Sequence, residues 1–106
     1  MEKYQKELDE FFKKKGWPYW SPLSILACLF EEGGEVARLV NHLYGDKRKK
    51  DSEKEQELEE ELGDVLYTLI CFANSTGINL DSAIRKSLDK AATRDKDRFG
   101  KSAKNK

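Results

Sequence analysis

Apolar positions recur with helical spacing in four segments of the chain, and no stretch alternates convincingly as a strand. From about Lys3 to Lys15, Tyr4, Leu8, Phe11 and Phe12 form one stripe and predict an amphipathic helix that Gly16 ends. Trp17-Pro18-Tyr19-Trp20 reads as an aromatic connector, because Pro18 and Pro22 keep it out of a helix interior. A second helix is predicted from near Ser21, which caps it with Pro22 at the first helical position, to about Leu43 or Tyr44 before Gly45. Gly45 to Asp51 is a basic connector. Ser52-Glu53-Lys54-Glu55 has the capping-box pattern and opens a third helix that runs to about Ser75. Gly77 breaks it, and Asn79 caps a fourth helix with Leu80, Ile84, Leu88 and Ala91 on one side. The fourth helix ends in the charged run Arg94 to Phe99. The expected organisation is a single all-α domain over residues 1–100, a bundle of about four helices, followed by a disordered tail over 101–106.

Composition narrows the function classes. The 106 residues carry 20 basic and 20 acidic side chains, so the formal net charge is zero, which argues against a nucleic-acid polymer as partner. Apolar residues are 38% and charged residues another 38%, a balance that suits helices with fully solvated outer faces. No run of about 18 apolar residues exists and Met1-Glu2-Lys3-Tyr4 has no signal-peptide core, so no membrane partner and a cytoplasmic location are expected. Cys28 and Cys71 lie in separate apolar runs, outside any CxxC pair, and read as reduced, buried small hydrophobes. A chain this short buries a limited share of its surface, so a homo-oligomer is expected to complete the core.

The informative residues are acids set against apolar faces. At about 100° per residue, Ile25, Leu29, Val36, Leu39 and Leu43 all fall within about 60° of Glu32. Glu32 therefore sits mid-face, and Glu35 lies at the border. Burying an ionised carboxylate costs several kcal/mol unless it is paired or binds a metal. The third helix repeats the device, with Glu61 and Asp64 edging the arc of Leu58, Leu62, Val65, Leu66, Leu69, Ile70 and Ala73. Packed antiparallel, the two helices would converge four carboxylates, an oxygen-only set that suits Mg²⁺ or Mn²⁺ rather than zinc. A structural network of buried acids is the competing reading of the same spacing. Glu57, Glu59 and Glu60 near the start of the third helix read as dipole and solubility devices.

The same residues carry a family resemblance. Glu31-Glu32-Gly33-Gly34-Glu35-Val36 resembles the EExxE motif of the MazG-like nucleotide pyrophosphohydrolases, and Glu61-Leu62-Gly63-Asp64 their ExxD motif, 25 residues further on. Gly77 to Asp81 and Arg94 to Phe99 resemble the family's C-terminal half, and Asn41-His42 with Tyr44-Gly45 suggest its small, single-domain, YpjD-like members. The adjacent glycines 33 and 34, and Val36 in place of the commoner leucine, depart from the pattern without touching a ligand position.

The resemblance implies an all-α, oligomeric (dimer or tetramer), Mg²⁺-dependent hydrolase that cleaves nucleoside triphosphates between the α and β phosphates. By motif position it implies Glu32, Glu35, Glu61 and Asp64 as metal ligands, with Mn²⁺ as an alternative ion. Glu31 or Glu35 is then the candidate acceptor of the water's proton. Lys90, Arg94 and Arg98 could meet the triphosphate, or form surface salt bridges with Asp89, Asp95 and Asp97. Trp20, with Trp17 and Tyr19, could stack on a base or seal a core. Asn41, Asn74 and Asn79 could bond a base edge, although Asn79 also suits a helix cap. House-cleaning of non-standard nucleotides is one expected role. A phosphoribosyl-ATP pyrophosphohydrolase and a non-catalytic helical oligomerisation or regulatory module are the alternatives.

Overall fold

A computed structural model describes the backbone of residues 1–45 and 55–104, and the side chains of 1–45 and 57–94. The four predicted helices are all present: α1 (Glu2–Lys15), α2 (Pro22–Tyr44), α3 (Glu55–Thr76) and α4 (Leu80–Lys104). Gly16 ends α1 in the left-handed conformation at φ 70°, and its N–H donates to the Lys13 carbonyl. Ser21 caps α2 by accepting from the Ser24 N–H at 3.3 Å, with Pro22 in the first turn. Asn79 caps α4 by accepting from the Ser82 N–H at 2.9 Å. The basic connector beyond Gly45 and the capping box at Ser52 fall outside the described residues.

The centre of the fold is the α2/α3 pair, with α1 laid on α3. Residues rising along α2 meet residues descending along α3. Ile25 and Cys28 share a cavity with Thr68 and Cys71, Glu32 meets Glu61 and Asp64, and Tyr44 lies beside Leu58 and Leu62. The two helices are therefore antiparallel. Ile25, Leu39, Ile70, Cys71 and Ala73 form the buried seam, and Leu39 is 1% exposed. Cys28 and Cys71 are free thiols, Cys28 only half-buried, and burial pushes the Cys71 thiol up.

The α1 stripe differs from its sequence pattern. Tyr4 and Phe11 are exposed, whereas Gln5 is buried. The reason is long-range. The Gln5 amide donates to Ile78 O at 2.8 Å and Asn74 Oδ1 at 3.1 Å, and its Oε1 accepts from the Leu80 N–H at 2.9 Å. Asn74 in turn donates to Gln5 O at 2.9 Å and the Tyr19 hydroxyl at 3.0 Å. Tyr19 donates to Asp9 at 3.1 Å, and its ring stacks on Phe12 at 4.7 Å. The Lys13 ammonium and the Tyr19 hydroxyl hold the Asp9 carboxyl below its ordinary range. Asp81 accepts from the Glu2 N–H and the Met1 ammonium, so the starts of α1 and α4 meet.

Beyond its first turn, α4 makes no substantial packing contact with α1, α2 or α3 among the described residues. The radius of gyration is 18.1 Å, against about 13 Å for a compact chain of this length. The helix also continues through Lys104, past the boundary at residue 100 that the sequence suggests. Gly100 is a lone glycine there, which weakens a helix by about 1 kcal/mol without ending it.

Replacing Gln5 by Ala strips partners from Asn74 and from the Leu80 N–H at a part-buried junction. It should lower stability by about 1–3 kcal/mol, read as a drop in the urea midpoint with unchanged slope.

Candidate metal centre

Helical periodicity puts Glu32 on the packed side of α2, and Glu61 and Asp64 one turn apart on α3. Across the seam, one carboxylate oxygen from each of the three lies within 4.8 Å of the others. Glu32 and Glu61 are half-buried and Asp64 is exposed. Oxygens on opposite sides of a bound Mg²⁺ stand about 4.2 Å apart, so small side-chain rotations bring the triad to ligating distance. The donors are all hard oxygens, which fits a hard divalent cation. Desolvation, with the charges of Asp64, Glu35 and Glu32, pushes the Glu61 carboxyl above its ordinary value of 4.5. That is the electrostatic signature of acids brought into one space.

The other candidates fall around this triad at different distances. The Glu35 carboxylate pairs with Arg38 at 3.3 Å and lies outside the triad, although Glu61 feels its charge. Glu31 is exposed on the outer side of α2, as its wheel position implies. An added Cβ at Gly33 or Gly34 would meet open space among the described residues, so these glycines serve no close helix contact there. Lys90 and Arg94 are exposed on α4, beside Ser87, Asp89 and Thr93 and away from the α2/α3 seam. Asp89 instead pairs with Arg85 at 3.0 Å. The side chain of Arg98 lies outside the described residues, as do those of Asp95 and Asp97. Asn79 uses its side-chain oxygen to cap α4, and Asn74 uses its amide in the Gln5 network.

One turn further along the seam from the acids lies an apolar cavity of about 390 Å³. Trp17, Pro18 and Trp20 from the connector form one wall, and Tyr67, Thr68 and Cys71 of α3 another. Trp20 is 66% exposed at its rim. Tyr67 and Thr68 are not among the site residues the sequence suggests, and Cys28 reads there only as a buried small hydrophobe. Their signal was their spacing: Thr68 follows Asp64 by four residues, and Cys28 precedes Glu32 by four, so both share the face of the acids. The Thr68 hydroxyl donates to the Asp64 carbonyl at 2.9 Å and is thereby satisfied.

Comparison with known proteins agrees with this geometry. Residues 20–99 match the MazG nucleotide pyrophosphohydrolase domain. The uncharacterised protein YpjD of Bacillus subtilis (strain 168) is 48% identical over 99 residues, which cover 93% of this chain and 89% of that protein. YvdC of the same organism is 31% identical over 96 residues, covering 85% and 91%. The crystal structure of Bacillus subtilis YpjD superposes with a TM-score of 0.77 at 45% identity, covering 84% of this chain and 91% of that one. A Bacillus-conserved MazG protein, described as a nucleotide pyrophosphohydrolase, superposes with a TM-score of 0.72 at 45% identity, covering 91% and 93%. No helix among the described residues is long and apolar enough to cross a membrane. With four helices, paired acidic motifs on the central two and a domain match over most of its length, the chain belongs to the MazG nucleotide pyrophosphohydrolase family and is a hydrolase.

Proposed function

We propose that the protein hydrolyses nucleoside triphosphates between the α and β phosphates, releasing a nucleoside monophosphate and pyrophosphate, and that it acts on non-standard nucleotides as a house-cleaning enzyme. The observation that carries this reading is the convergence of Glu32, Glu61 and Asp64 one helical turn from an aromatic cavity. Four residues of helix rise span about 6 Å, a separation suited to the phosphate and base ends of one nucleotide. Family membership supports the reaction class.

Glu32, Glu61 and Asp64 would hold Mg²⁺ or Mn²⁺, with Glu35 completing the set after release from Arg38. The metal would supply charge neutralisation for the phosphates and a more acidic water. Phosphoryl transfer otherwise needs positioning more than a protein nucleophile. Water attacks the α phosphorus, the bond to the bridging oxygen breaks, and pyrophosphate leaves. Glu31 or Glu35 accepts the proton that water gives up. Trp20 and Tyr67 border the cavity that would take the base, a face suited to stacking. Asn79 reaches substrate in this reading only at the expense of its cap.

Lys90, Arg94 and Arg98 are the cations proposed for the triphosphate. Because α4 stands off the seam in its own subunit, they would act from a second copy in a homo-oligomer, a dimer or tetramer. Protein of this kind would work in the cytoplasm, where nucleoside triphosphates are made and spent.

Incubating the protein with a nucleotide panel and Mg²⁺ should release pyrophosphate and the matching monophosphate. Phosphoribosyl-ATP in the panel separates the close alternative. Glu32→Gln and Asp64→Asn should each lower that activity by about 100-fold or more with helical content unchanged. Unimpaired turnover in both variants would overturn the assignment.

Metal and pH should act together on stability. Adding Mg²⁺ or Mn²⁺ should raise the thermal midpoint by mass action. Without metal, Glu61 ionises at a cost in the folded state, because its folded value stands above 4.5. Proton linkage places that penalty above the raised value and removes it as pH falls toward 4.5. Metal-free Glu61→Gln should therefore be more stable than wild type at neutral pH, with the gap closing on acidification.

A further inference from the structure

The aromatic wall of the apolar cavity stands on a segment with little main-chain support. This segment joins the end of α1 at Lys15 to the start of α2 at Pro22. Among the described residues, the bond from the Trp17 N–H to the Phe12 carbonyl, at 2.9 Å, is the only one that residues 17–20 make to other main chain. Pro18 has no N–H to give. Trp17 and Trp20 are 51% and 66% exposed, yet both line the cavity with Pro18. Loose side chains at such a rim must be ordered each time a ligand enters, and that entropy weakens binding.

Tyr19 is the one residue of this segment turned inward. It is half-buried, its ring stacks on Phe12 at 4.7 Å, and it is not part of the cavity lining. Its hydroxyl lies at the centre of a chain whose polarity is fixed. The Asn74 amide nitrogen can only donate, and does so at 3.0 Å, whereas the Asp9 carboxylate can only accept, at 3.1 Å. The hydroxyl proton therefore points to Asp9 and a lone pair to Asn74. Both ends of the chain are themselves held. Gln5 engages the Asn74 oxygen and nitrogen, and Lys13 pairs with Asp9 at 3.1 Å. Phe12 carries the order outward, packing edge-on against Trp17 at 5.7 Å. Asn74 also lies three residues beyond Cys71 on α3, the helix that forms the opposite wall. One anchor thus sets the spacing between the two walls.

We propose that Tyr19 is a positioning residue: through the Asp9–Tyr19–Asn74 chain it pre-orders the Trp17/Pro18/Trp20 wall against α3, which favours seating a flat aromatic ligand group in the cavity. The proposal rests on the functional reading above, in which that group is the base of a nucleotide. The hydroxyl's partners are Asp9 and Asn74 rather than any acid of the triad, so its loss should weaken binding without slowing the chemical step.

The chain's two tryptophans both stand in this wall, so intrinsic tryptophan fluorescence reports on it alone. Tyr19→Phe keeps the ring on Phe12 and removes the hydroxyl. In the free protein, time-resolved tryptophan anisotropy should show a larger fast local component than in wild type. With a nucleotide that the panel shows to be hydrolysed, KM should rise about 5-fold at unchanged kcat. Inhibition by pyrophosphate, which has no base, should not move. Asp9→Ala should reproduce these effects, and it carries the test where circular dichroism shows Tyr19→Phe unfolded. Asp9→Asn, which still offers an acceptor oxygen, should behave as wild type. Unchanged anisotropy overturns the proposal. So does a loosened wall with an unchanged KM, or a loss that falls equally on kcat and on pyrophosphate binding, the mark of a merely structural residue. Anisotropy is read without nucleotide, so it decides the tether even where the panel shows no turnover, an outcome that counts against the hydrolase reading alone.

Discussion

Carboxylates forced toward one another across a helical seam set the terms for this fold. Glu32, Glu61 and Asp64 repel, and their positions persist because apolar burial on the same two helices outweighs the repulsion. Ile25 and Leu39 bracket Glu32 along α2, seven residues to either side, while Ile70, Cys71 and Ala73 continue α3 beyond Asp64. Fully burying one such large side chain contributes about 1.5–3 kcal/mol. The raised Glu61 carboxyl is the residue of that contest, a local cost kept where a cation can relieve it.

The central pair was legible in the sequence because a 3.6-residue period places a side chain on its face without knowledge of the rest of the fold. Ile25, Glu32 and Leu39 needed only the wheel of α2, and the ends of α1, α2 and α4 needed only Gly16, Ser21 and Asn79. Convergence of Glu32 with Glu61 and Asp64 followed from one further assumption, that successive helices lie antiparallel. Glu35 shows the limit of that reasoning: its wheel position borders the site, but an arginine one turn away competes for its carboxylate.

What was not legible depends on partners distant in the chain. Tyr4 and Phe11 carry the apolar pattern of α1, yet Gln5 is the residue buried, because Asn74, Ile78 and Leu80 supply its hydrogen bonds. A polar side chain goes inside when every donor and acceptor finds a mate, and no local pattern announces that. The cavity had the same difficulty. Its walls come from a connector, from α2 and from α3, so only the assembled fold shows Trp20, Cys28 and Tyr67 facing one space. The basic residues of α4 are further still from reach, since their helix leaves the rest of its own subunit.

The Gln5 junction also bears on the order in which the chain acquires its shape. Helices α2 and α3 are neighbours in sequence and can zip together across one short connection. Docking of α1 must instead close a loop of 69 residues before Asn74 rewards it, and one of 75 residues before Leu80 does. The entropy of that closure is spent ahead of the bonds that offset it. By loop length, the contacts of the acid-bearing hairpin come at a smaller entropic cost than those that hold α1 in place.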